Sequence, residues 1–300
     1  MGGVVPVIRT RGEKVFTIFN YFFLSIVAAS CVLPFVNVIA ISLSKNAAVA
    51  ANYVKLWPVQ FTPYAYQYVI LKKAFWTSFL IAIERVALGL LVNMSLIVLT
   101  AYPLSKEVTY FKARSAYVWI FFFTLLFSGG LIPLYALVSQ LKLLGSIWVL
   151  ILPGALPVFN MILMLNFFRQ IPREMEEAAF IDGADHFRVL FMIYVPCSLP
   201  SIATMALFTI VSHWNSWFDG LIFMRSSENY PLQSYLQTVI IGLDFSKTSS
   251  ISGNYSYLKF LSDRTLKAAQ IVIAVIPVLT IYPFLQKYFI SGIVLGSVKG

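Results

Sequence analysis

Charge is scarce in this chain. Asp, Glu, Lys and Arg make up only 11% of its 300 residues, against 59% hydrophobic ones, where soluble domains carry roughly a quarter charged residues. Mean hydropathy is +0.82, so a soluble enzyme built on one buried core is excluded. Cysteine is scarcer still: Cys31 and Cys197, each within or beside an apolar run, leave neither a disulfide framework nor a CxxC metal site. The two histidines, His186 and His213, lie too far apart in sequence for a metal cluster or a triad, so no catalytic residue and no metal site is expected. The 12 acids are outnumbered by 22 Lys and Arg, yet the cations are scattered between apolar runs and form no basic stripe with interleaved aromatics, which argues against nucleic acid as a partner. No G-x-x-x-x-G-K-[ST] phosphate loop occurs either, so no nucleotide cofactor is expected on this chain.

What is present is apolar and aromatic: 26 Phe, 16 Tyr and 6 Trp, the ring content of bilayer interfaces. Taking about 20 apolar residues as one crossing, uncharged or nearly uncharged runs at 16–41, 76–103, 115–137, 147–168, 197–224 and 268–289 predict an all-α polytopic membrane protein of six transmembrane helices. Arg9, Arg11 and Lys14 before the first run resemble a signal peptide. The run continues uncharged from Val15 to Ser44, beyond the roughly 7–15 residues of a signal core, and reads as an uncleaved first span. With no repeat, low-complexity tract or soluble insertion, residues 1–300 read as a single transmembrane domain. Prolines and glycines inside the runs (Pro34, Gly129, Gly130, Pro133, Pro153, Pro157, Pro277, Pro283) predict broken, tightly packed helices, as in transporters. Orientation is not settled by charge: with the N-terminus inside, eleven cations fall on the inner side and ten on the outer, nearly a tie under the positive-inside rule.

The loop 169–196 carries most of the information. Pro172 suits a helix start and Gly183 a stop after Asp182. Asp185 can cap a second helix in which Phe187, Leu190, Phe191 and Tyr194 share one face until Pro196 ends it. Ala178 and Ala179 form a narrow stem beside Glu176 and Glu177, suited to insertion into a groove on a partner; the pattern fits equally an amphipathic loop lying on the membrane surface.

Glu177-Ala178-Ala179, three residues, Gly183, nine residues, then Ile193 and Pro196 resemble the EAA loop of binding-protein-dependent ABC import permeases, with Val195 where the family prefers Leu. Phe61-Thr-Pro-Tyr-Ala-Tyr66, Ala101-Tyr-Pro-Leu-Ser-Lys106, Trp214-Asn215 and Gly296-Ser-Val-Lys-Gly300 are similar to landmarks of its carbohydrate, maltose-type branch. Tyr282-Pro-Phe-Leu-Gln-Lys-Tyr-Phe289 is similar to the permeases for complex or acidic oligosaccharides. The resemblance implies a type I ABC importer fold in the bacterial cytoplasmic (inner) membrane, with both termini cytoplasmic and 169–196 as the coupling loop. It implies as partners a second homologous permease, two copies of a cytoplasmic ATPase, an extracytoplasmic solute-binding protein, membrane lipid and an oligosaccharide. Glu177, Ala178, Ala179, Asp182 and Gly183 would couple to the ATPase; Gly296, Lys299 and Gly300 would form a tail touching it.

Polar groups inside the spans are expensive and often functional, which singles out Glu84, Arg85, His213, Trp214, Asn215, Trp217 and Asp219 for the substrate pathway. Adjacent helical residues point about 100° apart, so Glu84 and Arg85 need separate partners, which a second permease subunit can equally supply; Trp217 fits a lipid-facing position as well. In the implied orientation the outer segments hold ten cations against Glu228, Asp244 and Asp263, and the inner ones eleven against seven acids. A more positive outer face favours anionic cargo such as uronate oligosaccharides, alginate or pectin fragments; an acidic binding protein or anionic lipid would use the same charge. A neutral-sugar permease and an ion-gradient-driven secondary transporter using the intramembrane carboxylates remain the alternatives.

Overall fold

A computed structural model describes residues 11–242 and 263–297, all of whose regular elements are helical. The described residues pack as two compact units, 11–71 with 263–273 and 72–242 with 274–297.

In the first unit, α1 (Arg11–Ser42) is apolar around its whole circumference, the pattern of a helix whose solvent is lipid. Its side chains stay largely exposed until Ala40, which joins Ala48, Val49 and Val54 in a small core. The segment that follows is folded: α2 (Asn46–Ala50), an antiparallel bridge between Ser44 and Phe61, and α3 (Tyr64–Leu71), which starts just after Pro63. Ser44 knits it together, donating to the Ala40 carbonyl at 2.6 Å and accepting the Val59 N–H at 2.9 Å.

The second unit is organised around α4 (Lys73–Ser105), whose buried positions Phe75, Ala82, Arg85, Gly89, Asn93, Ile97, Ala101 and Leu104 recur every three or four residues and trace one face. Small residues on that face let α7 (Val158–Phe168) and α11 (Leu199–Asn215) approach closely. Ile97, Met164, Phe168, Tyr194 and Met205 fill the space between them.

The first, second and sixth expected spans are single helices: α1, α4 and α14 (Asp263–Ser297). The others are interrupted. The 115–137 run is α5 (Arg114–Leu126) and α6 (Leu131–Gln140), bent by 114°, because Gly130 adopts φ +84°, where side chains are disfavoured. In 147–168, two 3₁₀ turns (Ile147–Leu150 and Leu152–Gly154) meet α7 at 51°, beside Pro153 and Pro157. The helix expected to stop at Pro196 runs on: α9 (His186–Val189), a wide π turn (Leu190–Tyr194) and α10 (Val195–Cys197) are continuous, and the 83° bend into α11 follows at Ser198. Pro196 is accommodated after a widened turn rather than by breaking the helix. The wide turn also rotates the expected face, so that Leu190 and Tyr194 are buried while Phe187 and Phe191 are exposed. The 197–224 run likewise divides into α11 and α12 (Phe218–Phe223), and α13 (Leu232–Gly242) follows.

Candidate functional site: a coupling loop and an intramembrane cavity

The loop 169–196, expected to couple to an ATPase, begins with α8 (Arg173–Ile181) and the corner at Gly183, whose φ of +82° ends the helix. Asp185 Oδ1 accepts the Arg188 N–H at 2.7 Å and starts α9, as its spacing predicts. Glu177, Ala178, Asp182 and Gly183 lie exposed, whereas Ala179 and Ala184 lean against the core of the unit. Nothing within 4 Å would meet a side chain at Gly183, so its backbone conformation alone restricts the position.

Sequence reasoning missed what anchors this loop. Lys106, the residue after α4, donates to Glu176 Oε1 at 2.6 Å and to the Tyr194 hydroxyl at 2.9 Å, and Tyr194 donates to Glu176 Oε2 at 2.6 Å. The ammonium also sits 4.0 and 4.1 Å from the ring centroids of Tyr102 and Tyr194, a cation–π arrangement. Burial pushes the Lys106 ammonium below its ordinary range while its Glu176 partner pulls it back up. Arg173 pairs with Glu107 on the exposed side and holds that carboxyl below the usual carboxylate range. The only sequence hint was that Lys106 closes the Ala101–Lys106 stretch. A cavity of about 470 Å³ lies beside this cluster.

A second polar cluster lies on α4, near the start of α7 and the end of α11. Arg85, only 2% exposed, pairs through both terminal nitrogens with Asp219 at the start of α12, and the same nitrogens donate to the Ser216 and Leu150 carbonyls at 3.3 and 3.4 Å. Asp219 is further held by the Ser216 hydroxyl and the Gly220 N–H. About two turns along α4 from Arg85, Asn93 bridges elements: with its amide nitrogen donating to the Gly89 and Ala155 carbonyls, its oxygen accepts from His213 Nε2 at 3.2 Å. Gly89 is required by close approach, since a Cβ there would lie 2.5 Å from His213 Nε2. A cavity of about 360 Å³ opens beside these groups.

Of the residues singled out for the pathway, Arg85, His213 and Asp219 therefore come together. Glu84 points away and is exposed, as is Asn215. Trp214 is buried, donating to the Ala274 carbonyl at 3.0 Å and packed edge-on against Phe79, and Trp217 is 40% exposed against Phe218. Asn93 and Gly89 were missed, although their four-residue spacing from Arg85 places all three on one face. Gly296 lies in the last turn of α14; Lys299 and Gly300 fall outside the described residues.

Bent helices thus surround a buried ion pair, with a helical loop tethered to one end of the central helix. Residues 7–294 match the family of binding-protein-dependent transport system inner membrane components, and the chain belongs to that family. It is thus an inner-membrane permease that works with a solute-binding protein. Among relatives, it is 39% identical to the polygalacturonan/rhamnogalacturonan transport system permease protein YtcP of Bacillus subtilis over 96% of this chain and 99% of that one. It is 40% identical to protein LplC of the same organism over 97% of both chains. A chain from the crystal structure of a bacterial ABC transporter that imports the acidic polysaccharide alginate superposes with a TM-score of 0.83 at 34% identity, covering 94% of this chain and 99% of that one.

Proposed function

We propose that this chain is one of two permease subunits of an ATP-driven importer that moves acidic oligosaccharides, fragments of pectin or alginate, into the cytoplasm. The observation that carries the substrate class is near-full-length similarity to a polygalacturonan/rhamnogalacturonan permease and to a subunit of an alginate importer. A second homologous permease pairs with it, a binding protein delivers cargo from outside, and two copies of an ATPase, carrying ATP and Mg, sit on the cytoplasmic side with both termini. Glu177, Ala178, Ala179, Asp182 and Gly183 seat in the ATPase, with Gly296, Lys299 and Gly300 reaching toward it. Closure of the ATPase then switches the whole chain between inward- and outward-open states. Arg85, His213 and Asp219 line the path, and the excess of cations on the outer segments raises the local concentration of anionic cargo.

The test is ATP hydrolysis by the reconstituted permease pair with its ATPase and binding protein, comparing oligogalacturonides with maltodextrins at matched concentration. Stimulation by the uronides alone is expected. Stimulation by maltodextrins alone would keep the importer and discard the acidic cargo.

A further inference from the structure

The cavity of about 360 Å³ between α4, α7 and α11 falls in the range of small-ligand pockets, and two of the residues lining it each carry a buried polar atom with no hydrogen-bond partner among the described residues: Arg85 Nε and Thr209 Oγ1. Thr209 is 2% exposed. Its isolation departs from the habit of this chain. Thr17, Thr77, Thr100, Thr204 and Thr280 each donate to the carbonyl four residues back at 2.5–3.2 Å, the usual outlet for a helical hydroxyl. Buried donors left unpaired are costly, so these two mark where a ligand's polar atoms belong. Asn160 and Ser212 line the same space, and Pro153 and Phe223 give it apolar walls.

Charge decides what kind of ligand fits. Both terminal nitrogens of Arg85 are engaged by Asp219, so the guanidinium charge is already cancelled. A carboxylate entering here would meet the Asp219 carboxylate without a free cation to offset it. Hydroxyls meet no such penalty: they donate as well as accept, suiting the unpaired Arg85 Nε–H, the Thr209 hydroxyl and the Asn160 amide, while the C–H face of a ring lies against the apolar walls.

We propose that this cavity is a pyranose subsite that reads ring hydroxyls and leaves the carboxylate of an acidic sugar unread. The subsite rests on the saccharide-permease reading above but not on the acidity of the cargo.

The experiment is maximal uptake into proteoliposomes holding the permease pair, ATPase and binding protein, with trigalacturonate and its carboxyl-reduced counterpart as probes. Thr209→Val is expected to lower the rate for both sugars by the same factor, about tenfold, and Thr209→Ser to restore it. Unchanged rates would overturn the subsite. Loss confined to trigalacturonate would mean that the carboxylate is read here and would overturn it too, as would a Thr209→Ser variant as slow as Thr209→Val, which would mark a packing role. If the wild type carries only the carboxyl-reduced sugar, the acidic-cargo reading falls and the subsite is judged on the neutral probe; if it carries neither, both fall.

Discussion

Lys106 joins the end of α4 to Glu176 of α8 and to Tyr194 of the π turn, its side chain 13% exposed. Replacing it with Met leaves Glu176 largely shielded from water and without its cation. The expected cost is about 2 kcal/mol, between that of a surface pair and that of breaking a fully buried one because some exposure remains. Since the same contact ties the loop proposed to meet the ATPase to the spans, Lys106→Met is also expected to keep ATP hydrolysis while uptake falls at least several-fold. Parallel loss of both would reduce the residue to a structural one. Gly89→Ala tests the second cluster: its methyl group would lie 2.5 Å from His213 Nε2, displacing the ring from Asn93 and costing about 1–3 kcal/mol by overpacking. Thermal unfolding in detergent should show that loss, and His213→Ala in the same chain should recover part of it; no recovery would place the strain elsewhere.

Among the elements, α8 and its corner were the most legible in the sequence. Gly183, Asp185 and the Glu177–Ala179 stem each act through their own backbone or their immediate neighbours, and local chemistry can be read locally. Gly183→Pro asks for a φ near −65° where the chain holds +82°. It should abolish coupled uptake while leaving the protein inserted in the membrane, as judged by extraction and immunoblot; wild-type uptake would sink the coupling assignment. Less legible were elements whose form depends on accommodation. An unbroken apolar run does not reveal that Gly130 turns the chain through more than a right angle, nor that a π turn carries α9 past Pro196. Hydropathy registers the solvent around a segment, whereas these features depend on where backbone bonds are widened or lost.

For the molecule as a whole, scarcity of charge made the fold class readable, because a chain this apolar has few alternatives to bundled membrane helices. What composition could not supply was partnership at a distance: Arg85 meets Asp219 134 residues later, and nothing in the periodicity of α4 names that partner. The net positive segments proposed to face outward lead to a prediction at the same scale. Uptake of trigalacturonate should fall more steeply than uptake of its carboxyl-reduced counterpart as ionic strength rises from about 0.01 to 0.15 M, where the screening length shrinks from about 30 to 8 Å. Equal slopes would assign that charge to lipid or to the binding protein. Finally, the tether at Lys106 makes α4 a lever. From Lys106 to Arg85 the helix runs about 32 Å at 1.5 Å per residue, so a tilt of about 10° imposed at the tethered end sweeps Arg85 through roughly 5 Å. Hydrogen bonds tolerate a few tenths of an ångström, and a stroke of that size is enough to take apart any hydroxyl-reading arrangement beside Arg85 and release what it held.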